Sequence, residues 1–164
     1  MDTLKQNIRL IEFTKAFDFI PSSTLEDILV EGIKYYKTSK KLVINLKSET
    51  IVKQEELQLL KEQFKKNAIL VKDIDVNLAY DYRYQSLEEL VKKNWDNILF
   101  IFKEDIPAIT SIADKVEWEN TGSRLSIIIN DPFLSKKSKE RNLAVKVEKY
   151  FKKKFNEQIR CEIL

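Results

Sequence analysis

The sequence predicts an α+β fold in two similar halves, and three observations predict it. Each half holds two runs in which apolar and polar residues alternate over strand length: "KKLVINLKS" and "KDIDVNLAY" first, "SRLSIIIND" and "QIRCEIL" later. Between the two runs of each half lies an amphipathic, lysine-rich helical stretch with a Phe-Lys-Lys triplet, Phe64-Lys65-Lys66 and then Phe151-Lys152-Lys153. Ahead of each first run stands a further strand-like segment, "GIKYYK" or "DKVEWEN", joined to it by a short polar turn, "KTSK" or "NTGS".

The remaining elements follow in order. "LKQNIRLIEFTKAF" reads as a helix with Leu4, Ile8 and Ile11 on one side, and "FIPSS" ends it. Ser23 with Glu26 has the spacing of a capping box and opens a short helix around Leu25, Ile28 and Leu29. In "QEELQLLKEQFKKN", Leu57, Leu60 and Phe64 share a face and Asn67 is the stop. Ser86 and Glu89 repeat the box and open "LEELVKKNWDNILFIF", with Leu87, Leu90, Val91, Trp95, Ile98 and Leu99 or Phe102 inward. Pro107 restarts the helix after "KED", and Gly122 suits the turn between the next two strands. A long helix and a last strand close the chain.

The halves align with offsets of 83 (125 − 42) for Leu42 and Leu125, 87 (151 − 64) for Phe64 and Phe151, and 85 (159 − 74) for Ile74 and Ile159. Each half then reads helix, helix, strand, strand, helix, strand: a three-stranded sheet with helices on one face. The expected domains are residues 1–82 and 83–164, with the boundary near "DYRYQS". This order resembles a type II KH-like fold.

Composition excludes much chemistry. There is no histidine, so His ligands, His general bases and Ser-His-Asp triads are out of reach. The two glycines, Gly32 and Gly122, are too far apart for a phosphate-cradling loop or for the Gly-x-x-Gly clamp of a nucleic-acid-binding KH module. One cysteine, Cys161, permits no intrachain disulfide and fits a reducing cytoplasm. No apolar run spans a bilayer, and "MDTLKQNIRL" has no signal-peptide h-region. Neither a cofactor nor a catalytic or metal-binding set is expected.

A few residues carry competing readings. Asp73 and Asp75 share a strand face and could hold one magnesium, or they are the wet side opposite Ile74, Val76 and Leu78. Cys161 lies in a strand, as a buried thiol. Glu55, Glu56, Glu88 and Glu89 sit where first-turn carboxylates offset the helix dipole. From Lys136 to Lys154 there are nine basic residues and two acids. Taken as one helix, Leu143, Ala144, Val147, Tyr150, Phe151 and Phe155 fall on one arc, leaving Lys139, Arg141, Lys146, Lys149, Lys152 and Lys153 opposite. That basic arc is either a solvated face or a nonspecific contact for phosphates or a protein partner.

The stretch "YQSLEELVKKNWDNILFIFKEDIPAITSIADKVEWENTGSRLSIIIN" is similar to the N-terminal region of PolC-type DNA polymerase III alpha subunits. Trp95, Pro107-Ala108-Ile109, the hairpin Gly122 to Ile129 and the lysine-rich helix Lys136 to Phe155 carry the likeness. "LEDILVEGIKYYKTSKKLVINLKS" resembles the family's opening hairpin and helix. The resemblance implies a non-catalytic piece of a nucleotidyltransferase, whose OB-fold, PHP, exonuclease and polymerase parts have no counterpart here. It implies likeness to the alpha-binding domain of the clamp-loader tau subunit, contacts with tau or related replisome subunits, and weak nonspecific DNA contact.

Overall fold

The first elements are strand before helix. β1 (Asp2–Arg9) pairs antiparallel with β2 (Leu29–Tyr36), and between them stand one α-turn, α1 (Leu10–Phe13), and a 3-10 turn. The expected helix from Leu4 to Phe17 is thereby corrected. Positions four apart share a face in a helix and in a strand alike, so the Leu4–Ile8 spacing fits both. The computed structural model describes the backbone of residues 2–164 and the side chains of residues 7–164, so the Leu4 side chain lies outside the described set.

The helix expected at Ser23 is also absent. Residues 23–27 form turns, held to α1 by Leu10 N–H on the Ile28 carbonyl at 2.7 Å and Ile11 N–H on the Glu26 carbonyl at 3.2 Å. Those bonds satisfy backbone groups that a helix would otherwise use internally. Leu25 and Ile28 still enter the core.

β2 turns back as β3 (Lys41–Ser48), and α2 (Gln54–Asn67) carries the chain across to β4 (Asp73–Tyr80), which pairs parallel with β3. The first sheet thus has four strands in the order β1-β2-β3-β4, not the three expected. Leu42, Ile44 and Leu46 alternate into the core beside Ile74 and Leu78. Leu57, Leu60 and Phe64 of α2 are buried, as their spacing predicts. Phe64 lies at the centre, with Phe17 and Phe19 edge-on at ring-centroid distances of 5.1 and 4.9 Å. This compact unit is Met1–Arg83.

The second unit, Tyr84–Leu164, opens with α3 (Leu87–Asp105). Ser86 Oγ accepts from Glu89 N–H at 3.1 Å, and the Glu89 carboxylate accepts from Gln85 N–H at 2.9 Å, so the predicted box forms in substance. A 3-10 segment, Pro107–Lys115, leads to β5 (Val116–Thr121) and β6 (Arg124–Ile129). Gly122, at φ 59°, makes the turn between them. The chain then returns through α4 (Pro132–Glu140) and α5 (Leu143–Phe155) to β7 (Arg160–Ile163), parallel to β6. The sheet is three-stranded, β5-β6-β7.

Three expectations change in this unit. The final helix is two helices, because Asn142 takes the left-handed conformation (φ 53°) between them. Asn94 and Asn97 point inward from α3, while Trp95 is only half-buried. They are buried because they bond: Tyr150 Oη donates to Asn94 Oδ1 at 2.7 Å, and Asn97 Nδ2 donates to Tyr150 Oη at 3.1 Å. Finally, Leu42 faces Ile74 across the first parallel pair, whereas Leu125 faces Cys161 across the second. The match for Ile74 is therefore Cys161, an offset of 87 (161 − 74) and the same as for Phe64 and Phe151. A slip of two residues leaves strand alternation unchanged and is invisible in the pattern.

Phe151 is fully buried. Phe151→Ala should destabilise the protein by about 3–5 kcal/mol in denaturant unfolding, and a loss under about 1 kcal/mol would mean the ring is not core.

Candidate functional site

The six basic residues singled out in the sequence are all exposed, and they are divided between two helices. Lys139 belongs to α4 and Arg141 caps its C-terminus, while Lys146, Lys149, Lys152 and Lys153 project from α5 beyond the break at Asn142. On α5 the amphipathic division holds: Leu143, Val147 and Phe151 are buried opposite the lysines. Lys146 is ion-paired with Asp105, and Lys152 Nζ donates to Asn156 Oδ1 at 2.8 Å. Lys149 and Lys153, one turn apart, have no ion pair among the described residues and are the cations left for a partner. Lys154 is half-buried, and burial, then the neighbouring charge of Lys153, lowers its pKa.

The acidic pair in the first unit has its countercharges within the protein. Lys41 Nζ lies 2.6 Å from Asp75 and 4.0 Å from Asp73, and Lys61 Nζ lies 3.8 Å from Asp75. The Lys41 hydrogen bond holds the Asp75 carboxyl below its ordinary pKa. Asp73 Oδ1 accepts from Ile74 N–H at 2.9 Å. These two carboxylates are the wet side of β4. Among the described residues no group of three or more side chains is arranged to hold a metal ion.

Cys161 is half-buried, and burial pushes its thiol pKa up to about 12, away from nucleophilic chemistry at neutral pH. Its N–H donates to Glu148 Oε1 at 2.8 Å. Trp95 and Trp118 stand with ring centroids 6.2 Å apart, both half-buried. They pack against each other and do not present open stacking faces together.

A different surface was not visible as a site in the sequence. In the first unit a groove of about 500 Å³ runs between the loop after the 3-10 turn and the outer face of α2. Buried Leu25 and Pro21 form its floor. Ile20 and Leu59 form walls that remain 75% and 59% exposed. Directly beyond the end of α2, Ile69 and Leu70 are 93% and 81% exposed. The signal was present: Leu59 lies off the face of Leu57, Leu60 and Phe64, and "AIL" follows a helix stop with no strand pattern to absorb it. Among the described residues no helix is long and apolar enough to cross a membrane.

The comparison with protein families falls on this first unit. Residues 18–78 match the family described as DNA polymerase III polC-type N-terminus I. The family so described is a non-catalytic N-terminal domain of PolC-type alpha subunits. The matched segment contains β2, β3, α2, most of β4 and every residue of the apolar groove. No curated protein and no solved structure matches the chain.

The pairing of Asp75 has a testable sign. Its folded pKa is lowered, so its contribution to stability is present above the unfolded value of about 4 and is lost as pH falls through the folded one. Lys41→Met should raise the Asp75 pKa in a carbon-detected NMR titration; an unchanged value would mean that the ammonium does not set it.

Proposed function

We propose that the chain acts as a protein-interaction module in a PolC-type replicative polymerase, joining the alpha subunit to other replisome subunits such as the clamp loader, in the cytoplasm. The observation that carries the reading is the coincidence of the family match with the exposed apolar groove inside it. A soluble domain seldom leaves clustered large apolar side chains in water without a partner for them. The role is assembly rather than chemistry, in keeping with the non-catalytic domain matched.

The two units are read as tandem copies of one KH-like plan, residues 1–82 and 83–164. Each has an antiparallel hairpin followed by a helical crossover into a parallel strand, with the constant offset of 87 over crossover helix and strand. β1 is then an addition to the first copy, and the break at Asn142 a modification of the second. This plan is what supports a likeness to the alpha-binding domain of tau.

A pull-down of purified clamp-loader and polymerase subunits on the immobilised chain should retain at least one subunit at micromolar concentration. Retention of none would overturn the reading.

A second reading, nucleic-acid contact, rests on Lys149 and Lys153. Two or three phosphate contacts give weak binding whose logarithm falls with the logarithm of salt at about 0.7 per contact on a single strand. Lys149→Glu with Lys153→Glu should reduce that slope in anisotropy titrations of a single-stranded oligonucleotide. Tight, salt-tolerant binding would instead make DNA the principal partner.

A further inference from the structure

We infer that the groove on α2 receives an amphipathic helix of the partner protein, about two turns long, with apolar anchors and a basic flank. This rests on the protein-interaction reading and specifies its surface. Leu59, Gln63 and Lys66 stand at i, i+4 and i+7 along α2, so the groove follows the helix for about two turns, roughly 10 Å. That is the span over which a docked helix presents anchors at i, i+3 or i+4 and i+7. Ile20 and Leu59 offer the walls and Leu25 the floor.

Charge decides the flank. Glu56 and Glu62 line the groove against a single cation, Lys66. Thr24 Oγ1 donates to Glu56 Oε1 at 2.5 Å and fixes one carboxylate at the rim. Glu62 makes no ion pair among the described residues. Glu56 lies toward the N-terminal end of α2 and Glu62 one turn before Lys66, so the groove carries two carboxylates along its length against one ammonium. A basic flank along the groove meets the two carboxylates, whereas an acidic one meets repulsion from them.

The test uses the full chain and two synthetic helical peptides. Both carry leucines at i, i+3, i+4 and i+7; one is flanked by lysines and the other by glutamates at the same places. The lysine peptide should bind about tenfold tighter by fluorescence anisotropy, with NMR shift changes centred on Ile20, Leu59 and Glu62. Leu59→Glu should abolish that binding, and Glu56→Lys with Glu62→Lys should reverse the preference. Equal binding of both peptides, binding to neither, or shifts centred elsewhere would overturn the inference. So would a concentration-dependent dimer that Leu59→Glu makes monomeric. In the subunit pull-down, equal retention by wild type and Leu59→Glu would sink the groove but leave the interaction role standing; no retention by wild type would sink the role.

Discussion

The parallel strand pair closing each sheet is the constraint on which the rest depends. Two strands that run the same way cannot be joined by a tight turn; the chain must cross back over the sheet, and a helix does so with its backbone bonds satisfied. α2 makes that crossing between β3 and β4, and α4 with α5 makes it between β6 and β7. Each crossing helix must bury one stripe against the sheet, and in each the fully buried aromatic is a phenylalanine, Phe64 or Phe151. The other elements then have places to fill: the hairpin partner beside the central strand, and α1 or α3 toward the remaining apolar surface.

The same constraint determines which surfaces are left for function. With Leu57, Leu60 and Phe64 turned inward, the opposite side of α2 is free of structural duty, and there Leu59 walls an apolar groove. With Leu143, Val147 and Phe151 turned inward, the free side of α5 carries lysines. Equivalent helices in the two units thus present different chemistry outward, apolar with an acidic rim in one and basic in the other. Nothing in the buried stripe requires that difference.

Where local pattern and structure part, the physical causes recur. Leu4 and Ile8 are four apart, a spacing that helix and strand share, so periodicity alone does not separate β1 from a helix. Polarity argues against the burial of Asn94 and Asn97, and the hydrogen bonds of Tyr150, more than fifty positions away, make it acceptable. A single left-handed Asn142 puts Lys139 and Arg141 on a different helix from the α5 lysines, a break that helical periodicity does not register. The apolar groove needs a loop and a helix brought together from separate stretches, which local periodicity cannot foresee.

Taken alone, the sequence determined what local chemistry decides: the alternating strands β3, β4 and β6, the inward stripes of α2 and α5, the Ser86 cap, the Gly122 turn, and the absence of histidine chemistry. These rest on neighbours within a few positions, where periodicity and side-chain reach suffice. Tertiary structure alone decided the fourth strand, the register of β7 against β6, the buried Asn–Tyr network and the walls of the groove. Each of those joins groups far apart in the chain, and whether such groups meet depends on packing that no local pattern encodes.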